Sequence, residues 1–188
     1  MFTSESLSKA CLVNSTLIAL NPLKNLLKPV IAAISAAALS VTPVEAKVDS
    51  GTYELLQTVQ ELGFTVHVNS TKCAEKGFAG MFIPYDESIH LCKGKGTPSA
   101  DDHDTVRHEV WHIVQYCGTP KTASALIPYT RDRDLFINRI NDSLSENTIN
   151  HVLRAYPDHV EIVELEAFAA AQALSAKEIQ DILLKQCG

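Results

Sequence analysis

Ten residues near the middle of the chain, Thr105 to Val114, constrain its folding more than any other stretch. They include His108-Glu109-Val110-Trp111-His112, two histidines four residues apart with a glutamate beside the first. On an α-helix, positions i and i+4 lie one turn apart on the same face. His108 and His112 therefore aim two imidazoles at one point. A neutral imidazole nitrogen is a good Zn2+ ligand, and two on one rigid helix make half a zinc site. Glu109 sits to the side of that point, placed to take a proton from a water that a metal has made acidic. Val106, Val110, Ile113, Val114 and Cys117 recur at helical spacing, so the far face of the same helix should be buried.

The flanks support a helix with defined ends. Ser99-Ala100-Asp101-Asp102 reads as a capping box with Asp102 as the reciprocal acid. Asp101, Asp102 and Asp104 suit the positive end of the helix dipole. The helix is predicted to run to Cys117 and stop at Gly118, with Pro120 beyond. Asp104 and Tyr116 lie four residues outside His108 and His112, on the histidine face. Asp104 is read as a capping acid, and Tyr116 either reaches the site or packs beside it.

Ahead of this helix, Tyr53 to Leu62 predicts a short helix capped by Gly63. Phe64 to Asn69 alternates as a strand, with Phe64, Val66 and Val68 inward and His67 solvated. Ala79 to Ile83 and Ser88 to Cys92 predict a hairpin joined through Pro84-Tyr85-Asp86-Glu87. The Lys93 to Pro98 loop lacks a phosphate-cradle pattern. Beyond Pro120 the pattern is helical. Leu135, Ile137, Ile140 and Leu144 mark one helix, and Ile149, Val152 and Leu153 another ending before Pro157. Asp158 to Leu174 is a third, and Ser175-Ala176-Lys177-Glu178 caps the last.

Residues 1–46 read as a secretory signal. They carry Lys9, Lys24 and Lys28, then an apolar run from Pro29 to Val41 that is short for a membrane span. Val44-Glu45-Ala46 has small residues where a signal peptidase reads, so the exported domain, 47–188, should begin at Lys47. Retention as a membrane anchor, or entry into an organelle, are the alternatives, and the leader is the one expected membrane contact. The four cysteines after the leader suit an oxidising compartment and two disulfides, predicted as Cys73–Cys92 and Cys117–Cys187. The net charge of −6 and the 6% aromatic content argue against nucleic acid as a partner.

A catalytic zinc takes three protein ligands and leaves one position open. The helix around 158–174 offers Glu161, Glu164 and Glu166 for the third, and its alanines would let it approach the histidine helix closely. On the residues alone Glu161 and Glu164 share a face and Glu166 points elsewhere, and the choice among the three stays open. His108-Glu109-x-x-His112 followed by Glu164-x-Glu166-Ala167 resembles the gluzincin zinc metallopeptidases. The branches closest in pattern are the prenyl-protein-processing and antitoxin-cleaving types, whose second motif reads Glu-x-x-Ala-Asp/Asn. The resemblance covers roughly residues 64–117 and 158–174. It implies an α+β, zincin-like fold, a small mixed sheet packed on two helices with Zn2+ held between them by His108, His112 and Glu164. It departs at Phe168, which stands where those branches carry Asp or Asn. Phenylalanine cannot orient a histidine by a hydrogen bond, so this chain must do so differently. The expectation is an exported metallopeptidase with Glu109 as general base and a peptide or protein substrate, the strand Ser88 to Cys92 offering an edge for it. The same residues also suit a non-catalytic zinc- or protein-binding module, or a zinc amidohydrolase acting on a non-peptide amide.

Overall fold

A computed structural model describes residues 51–76, 78–92 and 99–188. All belong to the unit Glu45–Gly188. The expected leader with its cleavage point after Ala46, and the loop 93–98, lie outside the described residues.

The chain enters through helix α1 (Gly51–Glu61), strand β1 (Thr65–Val68) and a short helix α2 (Lys72–Lys76). The hairpin β2 (Gly80–Ile83) and β3 (Ser88–Leu91) leads to the long helix α3 (Ala100–Gly118). The C-terminal half is helical: α4 (Arg133–Ser143), α5 (Glu146–Ala155), α6 (Glu161–Ala173) and α7 (Ala176–Cys187). The architecture is α+β, as expected, with a small mixed sheet. Among the described residues no helix is long and apolar enough to cross a membrane.

Local chemistry explains most boundaries. Gly63 takes φ +94° after α1, and the amides of Gly63 and Phe64 bond back to the carbonyls of Gln60 and Val59. That is the left-handed cap glycine tolerates best. Ser99 and Asp102 close the capping box of α3, and Ser175 and Glu178 that of α7. Helix α3 takes in Gly118 and ends at Thr119, whose hydroxyl donates to the Gln115 carbonyl at 2.7 Å. Helix α6 starts at Glu161, three residues later than the sequence suggests, because the Pro157 carbonyl takes the amides of Val160 and Glu161 in a turn. At five residues, α2 is too short to show a helical period, so the sequence does not reveal it.

The strand order is β1-β3-β2, with β3 parallel to β1 and antiparallel to β2. Strand β3 is therefore central, and both its sides are already paired. This corrects the expectation that Ser88 to Cys92 offers an edge to an extended peptide. Its four residues are all buried. Ile89 and Leu91 join the core. On the other face His90 sits between the Ser70 and Ser88 hydroxyls at 2.8 and 3.2 Å and stacks on the exposed His67. Val68, expected inward, is 54% exposed. It lines an open groove with Tyr53, Leu56 and Leu91, because this small sheet is not covered to its edge.

Helix α3 is the centre of the fold, packed between the sheet, α1, α6 and α7. Val106, Val110, Ile113 and Val114 are buried, as their spacing predicts, together with Trp111. A second core forms on the far side of α6 from Phe136, Ile140, Leu144, Val152, Leu165 and Ala169. The two expected disulfides are present. Cys73–Cys92 ties α2 to the end of β3, and Cys117–Cys187 ties the end of α3 to the end of α7. Both suit an oxidising compartment.

Closing a longer loop removes more entropy from the unfolded chain. The bridge spanning 70 residues should therefore stabilise more than the one spanning 19, by about 1 kcal/mol in the chain-entropy relation. Urea unfolding of the Cys117→Ala/Cys187→Ala and Cys73→Ala/Cys92→Ala variants measures this, and the reverse order would contradict it.

Candidate metal centre

Helix α3 carries His108, Glu109 and His112, the first two lining a cleft, and α6 brings Glu164 to the histidines. The Nε2 atoms of His108 and His112 lie 3.2 Å apart. Glu164 places Oε2 at 3.3 Å from His108 Nε2 and Oε1 at 3.6 Å from His112 Nε2. One ligand atom from each residue falls within 4.8 Å of the others, the one such group among the described residues. Ligands about 2.0–2.1 Å from a tetrahedral cation stand about 3.3 Å from one another. The spacing of these three donors fits that arrangement, so the group could hold a metal ion.

Close approach of the two helices makes this possible. Ala167, Ala170 and Ala171 are buried at the contact. From α3, Arg107 donates through Nε to the Ala171 carbonyl at 2.9 Å, near the C-terminal end of α6. A cation is favoured at that end of a helix dipole. Arg107 also pairs with Asp104. Asp104 is thus neither the cap, which is Ser99, nor one of the three convergent donors, although it lines the cleft. Tyr116 packs rather than reaching the centre, since its hydroxyl donates to Glu87 and its ring meets Phe64 and Phe82.

The three glutamates of α6 separate by direction. Glu164 joins the histidines, whereas Glu161 is buried outside the group. Glu166 is fully buried on another face. It accepts hydrogen bonds from Trp111 Nε1, Gln115 Nε2 and the backbone amides of Tyr129 and Thr130, at 3.3, 2.9, 2.7 and 2.6 Å. Four donors satisfy a carboxylate that burial would otherwise penalise heavily. They also pin the connection between α3 and α4.

Burial sets the electrostatics. It lowers His112 to about 4, so this imidazole is neutral at physiological pH and able to act as a ligand. It raises the Glu109 carboxyl to about 7, opposed in part by His108 and by the Phe82 amide, which donates to it. Burial also opposes ionisation of Glu164, but the His108 hydrogen bond, both histidines and Tyr156 outweigh it and hold this carboxyl below its ordinary value. Tyr156 is pushed up to about 12 by burial and by the neighbouring carboxylates, and keeps the proton it shares with Glu164.

The cleft, of about 270 Å3, is lined by Phe78, Gly80, Asp101, Tyr156 and Phe168 among others. Gly80 is required by contact: a Cβ there would meet Glu109 and Thr105 atoms at 2.7 Å. Strand β2 can pass over Glu109 only because this residue lacks a side chain. Phe168 packs edge-on against the His108 ring, with centroids 4.4 Å apart. His108 Nδ1 is buried with no hydrogen-bond partner among the described residues. His112 Nδ1 instead meets Gln115 Oε1 at 2.7 Å.

Sequence reasoning missed Gly80, Gln115, Tyr156 and the role of Glu166. Gln115 carried a signal, since i+3 from His112 on a helix is a neighbouring position. The others depend on contacts between elements remote in the chain. No family model, curated protein or solved structure matches this chain.

The three acids of α6 should respond differently to substitution. Glu164→Ala should abolish metal uptake in a folded protein, whereas Glu161→Ala should leave it intact. Glu166→Ala should instead lower stability by at least about 3 kcal/mol, because it strands buried donors. Metal content by mass spectrometry and urea unfolding on the same preparations check this. Equal metal loss in Glu161→Ala, or a stable Glu166→Ala, would contradict the assignment.

Proposed function

We propose that this chain is an exported zinc-dependent metallopeptidase with a zincin-like framework. The observation that carries the reading is the convergence of two histidine nitrogens and one carboxylate, with the Glu109 carboxyl beside them on an open cleft. His108, His112 and Glu164 would hold Zn2+, since two imidazoles and a carboxylate with a fourth side open form a catalytic zinc set. A bound zinc ion supplies acidity to water and polarises a carbonyl oxygen.

Glu109 is the general base. Its carboxyl lines the cleft beside the three donors, placed to take and give a proton there. In peptide hydrolysis it takes the proton of the attacking water and passes it to the departing amine. The Phe82 amide and the close approach at Gly80 fix its position. Tyr156 acts on Glu164, donating to it and so orienting the third ligand.

The free edge of β2 takes over the substrate role expected of β3. The Ala79 carbonyl accepts from the Cys92 amide, so it points inward to the hairpin. Backbone groups alternate sides along a strand, which turns those of Gly80 and Phe82 outward. Phe82 is engaged with Glu109, and Gly80 lines the cleft. An extended peptide pairing with Gly80 would lie across the centre, its main chain held by strand addition.

Glu109→Gln preserves shape and removes the base. The variant should stay folded and bind Zn2+ normally, while peptide hydrolysis falls by about 10²–10⁴-fold. Zinc content and cleavage of a peptide mixture, with and without chelator, measure both. Undiminished cleavage by Glu109→Gln would refute the mechanism, and an inert unmodified protein loaded with zinc would favour a binding module.

A further inference from the structure

His108 and His112 are held by different means. His108 has an aromatic wall and no hydrogen bond at Nδ1 among the described residues. His112 has a polar partner at 2.7 Å in Gln115, which is itself fully buried.

We propose that Gln115 is a positioning residue that fixes the proton of His112 on Nδ1, turning the Nε2 lone pair toward the metal centre, and that α6 fixes Gln115. A neutral imidazole carries one N–H and one lone pair, and a metal takes the lone pair. Which nitrogen holds the proton depends on which end of the Gln115 amide faces it. That end is decided elsewhere. The amide nitrogen lies 3.0 Å from the Val163 carbonyl and 2.9 Å from Glu166 Oε2, two groups that only accept. Turned over, the amide would set its oxygen against both acceptors inside the core. The carbonyl end therefore faces His112, and an oxygen acceptor requires the proton on Nδ1.

Glu166 cannot give way, because Trp111 and the amides of Tyr129 and Thr130 also hold it. The order of determination runs from the 129–130 backbone to Glu166, then to Gln115, then to His112. Val163, Glu164 and Glu166 all belong to α6. Docking of one helix thus delivers the third donor and sets the tautomer of the second. The final step toward the metal rests on the metallopeptidase reading above, but the tautomer does not.

The test begins without metal. In the metal-free protein with 15N-labelled histidine, His112 near neutral pH should show the Nδ1–H tautomer alone. The Nε2–H form there would overturn the proposal. Gln115→Met keeps the volume and removes the acceptor. It should give a mixed tautomer and lower Zn2+ affinity by about 10–100-fold, with Zn2+ alone as the probe. A folded Gln115→Met with tautomer and affinity unchanged would also overturn it. Should that variant fail to fold, the tautomer in the unmodified protein still decides. The expected tautomer in a protein that binds no Zn2+ would refute the metal reading and leave the role of Gln115 standing.

Discussion

The contact between α3 and α6 is the interaction on which the rest of the molecule depends. It joins the histidine face of α3 to an α6 face that carries both small residues and Glu164. Ala167, Ala170 and Ala171 let the α6 backbone come close enough for Glu164 to meet two imidazoles. A larger side chain at any of these positions would separate the helices and pull the third donor away. The same contact buries Trp111 completely and separates the two hydrophobic clusters.

Such an interface is electrostatically demanding. Glu109, Glu161 and Glu166 are all buried within it or beside it, and Glu164 is largely shielded. Carboxylates in a low-dielectric setting are tolerated only when hydrogen-bonded or paired. Glu166 meets this condition with four N–H donors and has no part in the donor group. Glu164 meets it with the histidines and Tyr156, and Glu109 with the Phe82 amide. The difference between them is mechanical. Glu166 is held by two side chains of α3 and by the backbone of the α3–α4 connection, whereas Glu109 lines the cleft and Glu164 meets the histidines.

The two histidines are held in different ways, and Phe168 accounts for one of them. The His108 ring is located by packing, which fixes its plane and leaves its Nδ1 without a hydrogen-bond partner among the described residues. The His112 ring is located by an amide on its own helix, which fixes proton and plane together. A neutral amide also raises the basicity of an imidazole less than a carboxylate would. Strand β2 completes the arrangement from the sheet side, with Gly80 admitting Glu109 and Phe82 donating to it.

The sequence by itself determined the features that repeat or cap locally. Helix α3, its capping box, its buried face and the pairing of His108 with His112 follow from a period of 3.6 and from Ser99 and Asp102. The hairpin, the helical C-terminal half and both disulfides were also legible, because turn residues and cysteine spacing report on short or covalent constraints. The resemblance named Glu164 and helical spacing set Glu166 on another face, but tertiary structure decided that Glu164 and not Glu161 meets the histidines, since both lie on one side of α6 and its docking selects between them. It decided that β3 is central and that β1 and β2 are the edges, because strand order is set by which surfaces a sheet must bury and not by any one strand's pattern. It decided the parts of Gly80, Gln115, Tyr156 and Glu166 for the same reason. Each acts through a partner in another element, and such a contact exists only once burial has brought those elements together.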